Sequence, residues 1–303
     1  MNDERCRICG CSRIHCASEL GRYHIIKCRR CGFGWPQPLP SEDEILQFYR
    51  DCRHPAAICD TINFLERESV ISAIRRLCPA GAKVFDVGCG FGHYLDVAKR
   101  YGFRTFGVEP DTGRAAEAIR KGHNIQIGFL SPSTFQGVCF DVVILSHVIE
   151  HLSDPAEAIK QIREHMVRNG LLFIATPNFG GLTHAIEGRH YREYTPPEHI
   201  AYFTRASLKR LLENCGFYLV RKRPFTHYLR TKDMIAHILK FRFLRKATWQ
   251  DPRAEHTPKR FVEGRFRIIR IIIYNLVLAG SKLITPIMNV LGEDHLHTYW
   301  RKR

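Results

Sequence analysis

The chain has 303 residues, 45% apolar and 25% charged, with 46 Lys+Arg against 30 Asp+Glu and a formal net charge of +16. Those values suit one large α/β domain with a small appendage and exclude a disordered or fibrous chain. No run reaches the ~18 uncharged apolar residues of a membrane span. The polar start MNDERCRICG has no secretory apolar core, so a reducing cytoplasm is expected.

Cys6-x2-Cys9 and Cys28-x2-Cys31 are separated by 18 residues. This is the spacing of two knuckles that each give two thiolates to one tetrahedral Zn²⁺. Glycine follows the second cysteine of both pairs, in ICG and RCG, and suits a tight turn. Residues 1–36 are too few to bury a core, so the expected zinc is structural and supplies folding energy. Cys11, His15 and Cys16 lie between the pairs as competing ligands. Four thiolates leave no open position for catalysis, and neither pair starts a helix in a βαβ unit as a redox site would.

WPQPLP then opens a linker of helices over 37–78. Ser41-Glu42-Asp43-Glu44 reads as a capping box, and a second helix is expected over about 61–77, ending before Pro79. From 79 to 223, apolar runs at 83–87, 104–108, 125–130, 140–146 and 171–176 alternate with helical patterns at 93–101, 112–121 and 155–168. Such alternation predicts a doubly wound, mostly parallel α/β sheet. Helix 206–214 and strand 217–221 continue it, and LHTYW (296–300), in a terminal segment 293–303, reads as an edge strand.

The turn after the first of these strands reads VFDVGCGFGHY, residues 84–94. A triphosphate loop needs GxxxxGK[ST], which is absent, and Gly88, Gly90 and Gly92 are one residue short of the dinucleotide pattern GxGxxG. Asp86 places a carboxylate inside an apolar strand. Glu109 ends the next strand, 21 residues after Gly88, where a carboxylate can accept both hydroxyls of a ribose.

With these residues in view, DVGCGFG, GVEPD, FDVVILSHVIEHLSDP and GLLFIATPN resemble the successive motifs of class I S-adenosylmethionine-dependent methyltransferases. The resemblance covers about residues 79–222. It implies a seven-stranded Rossmann-like sheet, with S-adenosylmethionine held at its methionyl end by Asp86, Gly88 and Gly90 and at its ribose by Glu109. It also implies Ser146 and His147 under the sulfonium. The acidic residue that many members carry after the third strand is missing from IGFLSPSTF, so Phe129 and Leu130 are expected as apolar walls.

His147-Val148-Ile149-Glu150-His151 matches the HxxEH metallopeptidase pattern. That chemistry needs both histidines on one continuous helix, whereas this stretch follows a strand and runs into Asp154-Pro155, a new helix start. His151 is expected as a packed or cofactor-adjacent residue.

Methyl transfer needs the acceptor in line and a base where the acceptor must lose a proton. YREYTPPEHIAYFT (191–204) supplies one in His199, with Glu198 beside it to orient the ring. PEHIAYF resembles the EH loop of sugar C-methyltransferases, which also carry an N-terminal four-cysteine zinc module, and this resemblance implies His199 as the base. Tyr202, Tyr194 and Asn178 complete the candidate pocket.

Residues 224–292 are basic and apolar, and the expected helix over 265–291 is uncharged from Ile271 to Ser281 between basic flanks. It suits a lid, a homodimer face, or peripheral contact with anionic lipid. The charged window interleaves with Ile, Leu and Val rather than with stacking aromatics, which disfavours nucleic acid. The expected acceptor is a small molecule, a saccharide or a lipid-linked glycan. RNA methylation and a non-catalytic zinc adaptor are the alternatives.

Overall fold

A computed structural model describes residues 5–51, 61–223 and 295–303. The expected basic helix over 265–291, and the segment 224–292 that holds it, lie outside these residues. The described residues belong to one compact unit.

Two sheets organise that unit. The first is antiparallel, in order β1 (Ile14–Leu20), β2 (Tyr23–Cys28) and β3 (Gly34–Gln37). Two helices follow, α1 (Glu42–Asp51) and α2 (Thr61–Arg75). The capping box forms as expected: Ser41 N–H donates to Glu44 Oε2 at 2.8 Å and Glu44 N–H to Ser41 Oγ at 3.2 Å.

The second sheet is built from β4 (Lys83–Val87), β5 (Arg104–Glu109), β6 (Asn124–Ile127), β7 (Phe140–Ser146), β8 (Met166–Pro177), β9 (Phe217–Arg223) and β10 (His295–Lys302). Their order is β6-β5-β4-β7-β8-β10-β9. The strands from β6 to β8 pair in parallel, and β10 runs antiparallel to both its neighbours. The C-terminal strand is therefore not at the edge, as its sequence suggests, but between β8 and β9. Residues 296–300 are all buried, and the strand is paired along both sides.

Helices α3 (His93–Arg100), α4 (Thr112–Arg120), α5 (Pro155–Glu164) and α7 (Arg205–Asn214) connect these strands, and α6 (Leu182–Glu187) follows β8. Their starts are written locally. Asp111 caps α4 through Arg114 N–H, Asp154 caps α5 ahead of Pro155, and Thr204 with Ser207 forms a capping box on α7. Helix α5 stops at Glu164, short of the expected 168, because β8 starts already at Met166.

Alternate strand residues feed opposite faces of the sheet. Phe85, Val87, Val143, Leu145, Leu172 and Ile174 join one core cluster, and Val84, Val142, Ile144, Leu171 and Phe173 join the other. Phe33 and Trp35 of the N-terminal sheet share the first cluster with Phe203 and Leu208. The small sheet thus borrows its core from the large one, as its size requires.

Candidate active site and cysteine cluster

The sheet order reverses between β4 and β7, and in a doubly wound sheet a ligand crevice opens there, beyond the strands' C-terminal ends. Asp86, Gly88, Gly90, Glu109, Ser146 and His147 gather at those ends of β4, β5 and β7.

Gly88 and Gly90 hold left-handed φ values of 67° and 52°, which side chains other than glycine's rarely adopt. A Cβ on Gly88 would stand 2.9 Å from Val148, whereas one on Gly90 would meet nothing within 4 Å. Gly88 therefore packs under the turn after β7, and Gly90 borders open space.

Glu109 is buried at the end of β5. Its Oε2 accepts from Gly90 N–H at 2.8 Å and its Oε1 from Asp111 N–H at 3.0 Å. A carboxylate offers about four lone-pair sites. Two backbone bonds thus lock the side chain against the glycine turn and leave acceptor capacity for a diol. Asp86 is buried too, and burial, followed by the charge of Glu109, pushes its carboxyl well above the usual range against the pull of Arg67. The Tyr94 phenol, on α3, is buried, and burial raises it well above the usual value.

After β7 the backbone turns sharply. His147 takes a left-handed φ of 56° and donates its N–H to Ala175 O at 2.9 Å. Ile149–His151 is a single 3-10 turn, so no continuous helix carries the two histidines of the HxxEH pattern, and the metallopeptidase arrangement is not formed. Instead His147 Nδ1 lies 3.2 Å from Glu150 Oε1. Glu150 is 2% exposed, and its Oε2 accepts from the Thr176 hydroxyl at 3.0 Å. Burial alone would raise this carboxyl, but His147, backed by His151 and His199, overrides it and holds Glu150 at about 2.

The loop carrying His199 closes over this corner. His199 Nδ1 lies 3.1 Å from the Glu193 carbonyl and 3.5 Å from Glu193 Oε2, and His151 Nδ1 is 2.8 Å from the Glu198 carbonyl. Carbonyls only accept, so both Nδ1 atoms carry a proton, and in its neutral form either ring would keep its lone pair on Nε2. The carboxylate that faces His199 is thus Glu193 and not the expected Glu198, which meets the cluster through its main chain. The two imidazoles approach edge to face, 4.8 Å between centroids.

Tyr202 donates its phenolic proton to the His199 carbonyl at 2.7 Å. Burial first, and then Tyr194 and Glu193, raise its phenol well above the usual value, so Tyr202 stays protonated and anchors the loop. Tyr194 and Asn178 each have a partner of their own. Tyr194 pairs with His184 at 3.1 Å, and the Asn178 side chain accepts from Gly180 N–H at 3.0 Å. Phe129 is 59% exposed, while Leu130 packs against the core.

Sequence spacing does not single out Glu150 or Glu193. Glu150 belonged to a misleading pattern, and five residues, two of them prolines, separate Glu193 from His199.

Toward the N-terminus, the sulfur atoms of Cys6, Cys9, Cys28 and Cys31 lie within 4.8 Å of one another. The Cys6–Cys31 and Cys9–Cys28 sulfurs are each 3.5 Å apart. Thiolates ~2.3 Å from a tetrahedral Zn²⁺ stand about 3.8 Å from each other, so the set fits that ion. The two turns match: Cys6 N–H donates to Cys11 O and Gly10 N–H to Cys6 O, while Cys28 N–H donates to Phe33 O and Gly32 N–H to Cys28 O. Cys11, His15 and Cys16 stand outside this group of four.

A sheet of this order, with a glycine turn after its first strand and a buried carboxylate ending the second, defines the Rossmann-like S-adenosylmethionine-dependent methyltransferase class. A family model described as a methyltransferase domain matches residues 55–222, more than half of the chain, and the chain belongs to that family.

Among curated relatives, a Mycolicibacterium smegmatis protein named "Probable S-adenosylmethionine-dependent methyltransferase" is 30% identical over 158 residues, covering 51% of this chain and 58% of its own. The Ubiquinone biosynthesis O-methyltransferase of Xanthomonas axonopodis pv. citri is 26% identical over 151 residues, covering 43% of this chain and 63% of its own. Both matches thus span less than two thirds of the relative. A solved S-adenosylmethionine-dependent methyltransferase from Archaeoglobus fulgidus is similar with a TM-score of 0.46 and 18% identity, covering 80% of this chain and 100% of that one.

Proposed function

We propose that this protein transfers a methyl group from S-adenosylmethionine to a small-molecule acceptor, with His199 receiving the acceptor's proton. The observation that carries the reading is the Glu109 carboxylate, buried beside the crevice and bonded to Gly90 N–H at 2.8 Å. Bound there, S-adenosylmethionine supplies an electrophilic methyl on sulfur. Glu109 accepts from its ribose hydroxyls, the bare backbone at Gly88 and Gly90 makes room for it, and Asp86 receives its amino group. Ser146 and His147 line the crevice at the end of β7.

His199 Nε2 takes the proton, and Glu193 keeps the ring in the required tautomer and steadies the cation that forms. The name of the Xanthomonas relative, a ubiquinone biosynthesis O-methyltransferase, supports an acceptor of small-molecule size. A saccharide or lipid-linked glycan is the finer class suggested by the EH loop. The four thiolates are assigned one structural Zn²⁺, supported by their spacing.

The test is to incubate the protein with methyl-labelled S-adenosylmethionine and a cell extract separated into small-molecule, glycolipid and RNA pools. Label entering either of the first two supports the reading, and label confined to RNA overturns it. A second reading is favoured by one observation, the meeting of Glu150, His151 and His199 ligand atoms within 4.8 Å. A divalent cation there would orient the acceptor oxygen in place of the base. Turnover lost on dialysis against EDTA and restored by Mg²⁺ or Mn²⁺, but not by Zn²⁺, would favour it.

A further inference from the structure

The N-terminal module meets the catalytic loop at a well-defined joint. Gly34 and Tyr202 form an antiparallel bridge in which each N–H donates to the other's carbonyl at 2.9 Å. One residue along, the Phe33 and Phe203 rings meet at 5.2 Å between centroids. The Thr204 hydroxyl donates to the carbonyl of Cys31 at 2.8 Å, so a candidate metal ligand is bonded through its own main chain to the same loop. On the other side, Phe179 N–H donates to Phe203 O at 2.8 Å. Tyr202 then passes the constraint on, its phenol bonded to the His199 carbonyl at 2.7 Å.

The joint is also closely packed. A Cβ added to Gly34 would stand 2.6 Å from Phe179 Cε1 and 3.2 Å from the Ile26 carbonyl. Only glycine lets the module's third strand approach the loop this closely.

We propose that the four-cysteine module is a positioning element of the active site, in which Gly34, Tyr202 and Thr204 latch the His199 loop to the turn holding Cys28 and Cys31. The proposal rests on the reading of His199 as the base. A structural metal on the four sulfurs fixes the Cys28–Gly34 turn, that turn fixes the main chain of residues 202–204, and the Tyr202 phenol fixes the carbonyl of His199. A catalytic base misplaced by about 1 Å loses on the order of 100-fold in rate. The module therefore acts on turnover without touching the acceptor, and no bond forms or breaks at the latch.

The experiment follows the His199 imidazole by NMR in full-length protein labelled at the Cε1 carbon of histidine, with the resonance assigned through His199→Gln. Gly34→Ala drives a methyl group into Phe179. It is expected to move the His199 resonance and lower label transfer from S-adenosylmethionine at least tenfold, while cofactor affinity stays within threefold by calorimetry. The double variant Gly34→Ala with Phe179→Leu removes the ring atoms that the methyl strikes and is expected to restore both signals. Stripping metal from the wild-type protein with a chelator is expected to move the same resonance, and this arm holds if Gly34→Ala does not fold.

A His199 resonance unmoved by Gly34→Ala and by metal removal overturns the latch. Turnover retained in His199→Gln overturns instead the assignment of the base, a separate result, since the NMR signal still reports whether the module holds the loop.

Discussion

Replacing Glu109 is the sharpest perturbation of the cofactor crevice. Its carboxylate makes two bonds to backbone N–H groups, at 2.8 Å and 3.0 Å, and is assigned two more from the ribose diol. Hydrogen bonds to a charged group contribute about 1.5–3 kcal/mol each. Losing the ribose pair therefore costs ~3–6 kcal/mol of binding, a rise of roughly 10²–10⁴ in Kd. Glu109→Ala also leaves Gly90 N–H unpaired beside the cofactor, which adds to the loss. Glu109→Gln is the more discriminating change, because its amide nitrogen can only donate and must face either a backbone N–H or a ribose hydroxyl. The assay is calorimetric titration with S-adenosylhomocysteine, with circular dichroism to confirm that the unliganded fold is intact. A Kd within threefold of wild type in a folded Glu109→Ala protein refutes the ribose assignment.

His199→Ala is expected to lower the methyl-transfer rate by about 10²–10⁴, the usual contribution of general acid–base catalysis, with cofactor affinity unchanged. An unaltered rate in labelled-methyl transfer would remove the base. Glu193→Gln is expected to give a smaller loss together with a displaced pH–rate profile, because the ring keeps its carbonyl partner at 3.1 Å but loses the facing charge. Glu150 is held at about 2, below the unfolded carboxylate range near ~4.3. Its stabilising effect is therefore complete above that range and fades as pH falls toward the folded value. The urea-midpoint gap between wild type and Glu150→Gln should accordingly be widest near pH 6 and narrow below about pH 4, and a gap that widens on acidification contradicts the pairing. Elemental analysis should find one zinc per chain, lost in Cys9→Ser with a fall in thermal midpoint. Zinc retained at full occupancy in Cys9→Ser rejects the four-thiolate site.

Much of the architecture was legible because its signals are local. Apolar runs such as VVIL in β7 mark strands buried on both faces, and Asp111, Asp154 and Thr204 announce helix starts through bonds to their own neighbours. The glycine turn was readable for the same reason, since left-handed backbone at Gly88 and Gly90 demands glycine, and the Glu109 carboxylate ending the next strand bonds Gly90 N–H. What escaped depends on distance in the chain. LHTYW reads as an edge because His297 and Thr298 dilute its apolar pattern, yet β10 is paired on both sides. Period-2 alternation identifies a strand but not its neighbours. Glu193 was missed because the turn through Pro196 and Pro197 brings it to His199, and adjacency in sequence favoured Glu198 instead. The bridge from Gly34 to Tyr202 joins residues 168 positions apart (202 − 34), and nothing in either stretch announces the other.

The chemistry assigned to the corner of β4, β5 and β7 is tested most directly by a crystal structure grown with S-adenosylhomocysteine. The expected electron density has both ribose hydroxyls within hydrogen-bond distance of Glu109, with the sulfur beside Ser146 and His147. A nucleoside bound elsewhere, or a Glu109 carboxylate that touches only Gly90 and Asp111 at saturating ligand, would contradict it.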